Sequence, residues 1–393
     1  MKKALAILLA LSLLLVMFTA CAEEKAPEPS TTAPTTEPVT EPTTETTTET
    51  PSTEPAETYS VLLLVPRVGD KSYFDGAVAG LDLIEANYDN VTTEVIAMGS
   101  EEADMANYPT FFDDACKSGK YDLIITGGGE CTSAMLEAAT NYPDQMFFDF
   151  DYQDTFGNEL PNVHGVYYKA YDMGYLAGYL AAQITVSDME LANPDKKVGA
   201  VVGIDLPDLN DFVGSFCQAC IDCGVQATIS YCNSFSDQEA AYNCAMELYN
   251  DGCDVLWQVA GSAGQGVFRA ATESGRYAFG VDVDQAEVIE DKTLTANIVT
   301  SFYKDYAQMI LSAFEALVNG NYPGGVTNAV GLAEHGVGLA DNEQYRTFVP
   351  QEIRDSLDVL YEKVEKGEIV PFSALFDQEG WPAIRDQAAQ PVE

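Results

Sequence analysis

The chain of 393 residues is 47% hydrophobic and 10% aromatic, enough to bury a large core and to divide it between two lobes. Its 62 Asp and Glu against 19 Lys and Arg give a formal net charge of -43, a balance that repels phosphate backbones and excludes nucleic acid as a partner. With only His164 and His335, general-base chemistry near neutral pH is scarce.

Met1-Lys2-Lys3 is a basic start, residues 4–18 are an apolar run broken only by Ser12, and Thr19-Ala20-Cys21 follows. The run is too short to span a bilayer comfortably and ends in small residues, so residues 1–20 read as a signal peptide. Phe18-Thr19-Ala20-Cys21 resembles a bacterial lipobox, with Phe18 where Leu is commoner. Cleavage there would leave Cys21 N-terminal and lipidated. A plain signal peptide with a chance cysteine is the alternative. From Ala22 to Thr58 the chain is Thr, Glu and Pro with almost nothing apolar. It cannot bury a core, and residues 21–58 are expected to form an extended, self-repelling tether to the membrane.

From Tyr59 the pattern becomes βα repeats. Strands are predicted at 60–65, 91–97, 123–126, 146–150 and 163–168, with helical spacing at 77–87, 108–118 and from Thr132. A second series follows: helix 170–184, strand 198–202, helix 212–223, strand 226–232 and helix 238–250. Residues 255–285 then make one βαβ unit, Val255-Leu256-Trp257-Gln258-Val259-Ala260, a glycine loop, a helix to Ser274, and Tyr277-Ala278-Phe279-Gly280-Val281 ending at Asp282. The remaining predicted elements are a strand at 296–299, a helix to Val318, a last strand at 331–339 and a closing helix at 350–366. Strands alternating with helices twice over predict two doubly wound parallel-sheet α/β lobes.

In open parallel sheets, ligands sit beyond the carboxyl ends of the strands. Gly261 to Gly264 and Asp282 are therefore expected on one rim of one cleft, the glycines admitting close backbone approach and the carboxylate accepting two hydroxyl hydrogen bonds. Ordinary loop chemistry is the competing reading. No nucleophile elbow, His-Glu-x-x-His or Walker loop occurs, so no enzyme is expected. Cys217, Cys220 and Cys223 step along one helix without a fourth ligand of metal spacing. They read as buried thiols, with disulfides such as Cys217 to Cys223 the alternative.

Several segments, in order, resemble the basic membrane protein family, the substrate-binding lipoproteins of ABC transporters similar to purine-nucleoside receptors. They are Asp70-Lys71-Ser72-Tyr73, Met173-Gly174-Tyr175-Leu176-Ala177-Gly178, Ser234-Phe235-Ser236-Asp237, Asp251-Gly252-Cys253-Asp254-Val255, Ala260-Gly261 with Gly264 and Gly266, Gly280-Val281-Asp282-Val283-Asp284-Gln285, and Thr300-Ser301 with Lys304. The resemblance spans roughly 59–371 and implies a type I periplasmic-binding-protein fold with two lobes joined by a hinge. It implies lobes of 59–165 plus about 288–322 and of 166–287 plus about 323–345, then a C-terminal helix and tail at 346–393.

It also implies an extracytoplasmic, lipid-anchored monomer, without a cofactor, that serves an ABC permease and ATPase. A purine nucleoside or similar ribosylated base would lie between the lobes. Tyr73 and Phe235 would sandwich the base, Asp70 would bond its edge, and Asp151, Asp282, Lys304 and the Gly261 backbone would hold the ribose, with Lys304 and Asp282 as partners. Family members often carry Phe then Asn where this chain has Tyr73-Phe74, so Phe74 is also a candidate ring, and Gly128 is the candidate from the third-strand loop. A surface signalling or adhesive lipoprotein of the same fold, binding another small molecule, is the alternative. Competing structural readings are helix-start roles for Asp70 and Asp75, lobe packing for Tyr73 and Phe235, an N-cap for Asp237, strand closure for Asp151, a solvated helix position for Lys304 and core packing for Trp257.

Overall fold

The computed structural model describes residues 57–152 and 159–392. The expected signal peptide, the Cys21 lipidation site and residues 22–56 of the tether lie outside the described residues. The described strands are β1 (Tyr59–Val65), β2 (Val91–Ala97), β3 (Leu123–Thr126), β4 (Met146–Asp149), β5 (Val163–Tyr168), β6 (Lys197–Val202), β7 (Gln226–Tyr231), β8 (Cys253–Val259), β9 (Tyr277–Asp282), β10 (Ile298–Lys304), β11 (Val326–Val330) and β12 (Val337–Leu339).

They form two six-stranded sheets, ordered β11-β5-β4-β3-β1-β2 and β12-β10-β9-β8-β6-β7. Every ladder is parallel except that of the edge strand β12, which runs antiparallel to β10. Strands such as β3 and β8 are buried at every residue, which is why they read as unbroken apolar runs.

The small residues in the helix after β5 have a packing cause. Helix Ala170–Thr185 lies backbone to backbone against helix Pro207–Cys223. A Cβ on Gly174 would stand 2.1 Å from the Phe212 carbonyl oxygen, and one on Gly178 would stand 2.3 Å from that of Phe216. Trp257 is fully buried, as the core reading expected, and its Nε1 donates to the Gly280 carbonyl at 3.0 Å. All eight described cysteines are unpaired; Cys217 and Cys220 are fully buried, and burial raises both thiols.

The chain passes between the sheets three times: at Lys169 after β5, at Asp305 after β10, and through 331–336 between β11 and β12. The crossings are bonded to one another. Lys169 N donates to Val330 O at 2.8 Å, Asp305 N to Gly336 O at 2.8 Å, and Gly336 N to Gly331 O at 2.9 Å.

This corrects the lobe boundaries read from sequence. Within 288–322, β10 belongs to the second sheet beside β9, and only helix Tyr306–Val318 packs on the first lobe, against helix Tyr73–Asn87. The stretch after β9 is a crossover of two short helices that returns parallel to β9, not a hinge. Within 323–345, β11 joins β5 of the first sheet. It escaped prediction because, as an exposed edge strand, it lacks an apolar run. The strand expected over 331–339 is instead a turn followed by the short β12. The C-terminal region is not a loose tail: helix Gln351–Glu365 packs on Ala170–Thr185, and helix Trp381–Ala388 packs on Pro207–Cys223.

Candidate functional site

The carboxyl ends of the central strands of both sheets converge on one cavity of about 330 Å³. That is the low end of the range for small-molecule pockets. All nine residues singled out as ligand contacts line it: Asp70, Tyr73, Phe74, Gly128, Asp151, Phe235, Gly261, Asp282 and Lys304.

On the first lobe, the loop after β1 is held by two carboxylates. Asp70 accepts from the amides of Ser72, Phe74 and Asp75 at 3.1, 3.0 and 3.0 Å, which ties the start of helix Tyr73–Asn87. Asp75 accepts from Gly69 N at 2.6 Å and Lys71 N at 2.9 Å. Both oxygens of Asp70 are thus engaged by backbone, the helix-start role that competed with a base-edge role.

The loop presents Arg67, Tyr73 and Phe74 to the cavity. The Arg67 guanidinium carbon lies 5.1 Å from the Phe74 ring centroid. Tyr73 sits edge-on to Phe74 at 4.9 Å and to Tyr306 at 5.2 Å. Among the described residues its hydroxyl is buried without a partner, as are the Arg67 Nε and the hydroxyl of Tyr168, another lining residue. Buried polar atoms are normally satisfied, so these three atoms around one cavity are open to a polar guest. Gly128, at φ +93, opens helix Gly129–Asn141 at the cavity edge. Beneath it the Asp149 carboxyl is pushed up to about 7 by burial.

On the second lobe, Ser234 ties the turn after β7 by accepting from Ser236 N at 3.1 Å and Asp237 N at 2.9 Å; Asp237 caps its helix as expected. The Phe235 ring lies over Gly203, where a Cβ would come within 2.4 Å of it. The Phe235 carbonyl accepts from Ala263 N and Ser262 Oγ, which joins its turn to the Gly261 loop. Asp282 ends β9 at φ +67, a left-handed conformation that costs a non-glycine residue on the order of 1–3 kcal/mol. Burial pushes its carboxyl up to about 6, against the pull of Lys304 and the Ser72 hydroxyl.

The lobes meet through polar bridges at this cavity. Lys304 Nζ, at the end of β10, donates to Asp151 Oδ2 of the first lobe at 2.8 Å, with only 8% and 10% of the two side chains exposed. Ser72 Oγ donates to Asp282 Oδ2 at 2.5 Å, Tyr306 OH to Asp282 Oδ1 at 3.2 Å, and Gln285 Nε2 to the Lys71 carbonyl at 3.0 Å. The expected pairing of Lys304 with Asp282 is therefore corrected. Lys304 is in direct contact with Asp151, and Asp282 is held by hydroxyls. The ammonium also lies over the rings of Phe212 at 5.0 Å and Tyr168 at 5.2 Å.

Sequence reasoning missed Arg67, Tyr168, Tyr306 and Leu375. Arg67 is one of few cations and comes two residues after the end of the first strand, a signal that could have found it. Leu375 lines the cavity from far downstream and carried no signal.

Among the described residues no helix is long and apolar enough to cross a membrane, and no cluster of His, Cys, Asp and Glu could hold a metal ion.

The family model described as ABC transporter substrate-binding protein PnrA-like matches residues 59–373. Basic membrane protein A of Borreliella afzelii is 30% identical over 321 residues, which cover 77% of this chain and 88% of the relative. An uncharacterised lipoprotein of Pyrococcus horikoshii is 29% identical over 301 residues, 74% of this chain and 70% of that one. Among solved structures, an ABC transporter solute-binding protein from Aeropyrum pernix superposes with TM-score 0.70 at 22% identity, covering 84% of this chain and 99% of that chain. One from Conexibacter woesei gives TM-score 0.65 at 21% identity, covering 80% and 99%. At these identities the solved structures speak for the fold, the type I periplasmic-binding-protein architecture.

Proposed function

The chain belongs to the PnrA-like substrate-binding proteins of ABC transporters, and from that premise we propose that its cleft takes a purine nucleoside or a similar ribosylated base and delivers it to a permease. The observation that carries the reading is that one cavity gathers rings from both lobes and a set of charged groups. Tyr73 and Phe235 bring rings from opposite lobes, while Asp282, Asp151 and Lys304 gather acceptors and a donor. A flat heterocycle suits the rings, at about 1–3 kcal/mol per stacked contact. Vicinal hydroxyls suit the charged groups, because a carboxylate accepts both.

Since Asp70 is occupied by backbone amides, the base edge falls to Arg67 and the Tyr73 hydroxyl, both with unused donors. The proposal includes the expected leader and a lipidated Cys21, which would hold the protein on the extracytoplasmic face of the membrane, and a monomer that binds without turnover. Relatives named lipoproteins support that placement. Titration calorimetry with inosine, guanosine, adenosine and uridine tests the reading. Saturable heat with purine nucleosides is expected, and no heat with any of the four removes the claim.

One observation favours the second reading, a surface lipoprotein binding another small molecule. Arg67, over Phe74, brings a guanidinium to the cavity wall, and a guanidinium also binds carboxylates. A mass-spectrometric screen of co-purified ligands separates the two: an organic acid in place of a nucleoside would support it.

A further inference from the structure

The chain continues past the second sheet and returns to the cleft. After helix Gln351–Glu365 it turns at Gly367 and lays residues 371–376 along helix Pro207–Cys223. The approach is close: a Cβ on Gly214 would stand 3.0 Å from the Phe372 ring and 3.3 Å from the Ala374 Cβ. Phe372 N donates to Gln218 Oε1 at 2.6 Å.

The main fastening is Asp211, 1% exposed. One of its oxygens accepts from Ser373 Oγ at 2.5 Å and Leu375 N at 3.2 Å. The other accepts from the hydroxyl of Tyr167, on β5 of the first lobe, at 3.3 Å. Tyr167 also meets Phe376 edge-on at 6.2 Å. Asp211 thus joins three parts of the chain: the second-lobe helix that carries it, a first-lobe strand, and the C-terminal segment. From that segment the half-buried Leu375 completes the cavity wall beside Tyr167 and Asp211. Downstream the segment is anchored by Trp381, 5% exposed, so it is fixed at both ends. Leu375 lies just past the matched residues 59–373.

We infer that residues 371–376 are a third wall of the ligand cleft, that Leu375 sets which ligand outline fits, and that Asp211 is the positioning residue that seats this wall against both lobes. The inference rests on the cavity being the ligand site. It assigns selectivity to Leu375, just past the matched residues, so that one scaffold admits differently shaped guests through a change far downstream.

The test has two arms, both on the full protein. In the first, calorimetry compares inosine with 2′-O-methylinosine and 8-bromoinosine. Leu375→Ala is expected to relax discrimination against at least one substituted ligand by about tenfold, with the melting temperature unchanged. Ratios within about twofold of wild type for both ligands overturn the assignment of Leu375.

The second arm needs no ligand. Amide hydrogen exchange at Leu375 is expected to speed up about tenfold or more in Asp211→Ala and to stay near wild type in Asp211→Asn, which keeps an acceptor for that amide. Ser373→Ala serves in its place if Asp211→Ala does not fold. Equal exchange in the wild type and the disrupted variant overturns the seating. If the wild type binds none of the three nucleosides, the nucleoside reading falls, and the exchange arm alone upholds or overturns the wall.

Discussion

Replacing Lys304 with Met removes one member of a buried ion pair and keeps most of the volume. The Nζ to Oδ2 distance is 2.8 Å and neither side chain is more than 10% exposed. At an effective dielectric of about 20, that separation corresponds to roughly 6 kcal/mol of gross attraction, most of it offset by the desolvation of both ions. What the substitution exposes is the other term: an unpaired, buried carboxylate of Asp151, which typically costs about 3–5 kcal/mol. The cation–π contacts to Phe212 and Tyr168 are lost as well. Lys304→Met is therefore expected to lower unfolding stability in urea by about 3–5 kcal/mol and to abolish ligand binding. The double variant Lys304→Met with Asp151→Asn should recover most of the stability, since no charge is left stranded, but none of the binding. A single variant within about 1 kcal/mol of wild type, or a double variant no better than the single, would refute the claim that this pair bridges the lobes in a dry site.

Three further outcomes follow from the same geometry. Asp282 carries a carboxyl that burial holds at about 6, above its usual unfolded value. A raised carboxyl stabilises the fold below the unfolded pKa, and that contribution, roughly 3 kcal/mol at most, is lost as pH rises through 6. Asp282→Asn should flatten this part of the pH profile in urea melts, and an unchanged profile would contradict the burial argument. Asp149, Asp172, Asp211 and Asp254 are also raised, to about 6 or 7, so the difference between variant and wild type is the readout. If ligand hydroxyls bond to the ionised Asp282, affinity should weaken by up to about tenfold per unit below pH 6. Calorimetry from pH 5 to 8 reads this, and a flat profile would remove Asp282 from the sugar end. Finally, Gly178→Ala would put a Cβ 2.3 Å from the Phe216 carbonyl, so it should cost about 1–3 kcal/mol by forcing two helices apart. Wild-type stability in urea would show that the helices yield freely.

The parts of this architecture legible in sequence are those where burial on both faces writes an apolar run, as in β1, β3 and β8. The edge strand β11 leaves no such trace, and the lobe boundaries went astray there. The site was legible because its residues fall at strand ends and helix starts, where Asp282, Gly261 and Tyr73 stand out. Pairing was not legible: Lys304 finds Asp151 and Asp282 finds Ser72, contacts 153 and 210 residues apart in the chain that only the closing of two sheets decides. Leu375 escaped because a leucine near a terminus has no meaning until the fold supplies its neighbours.

The most direct measurement is the heat of binding of inosine, guanosine, adenosine and uridine to the wild type, Phe235→Ala and Asp282→Ala. A cleft built to stack a base and hold a ribose predicts saturable binding of a purine nucleoside to the wild type and a loss of about tenfold or more, about 1.4 kcal/mol, in each variant. Purine nucleosides that give no heat, or that bind both variants as tightly as wild type, would contradict it.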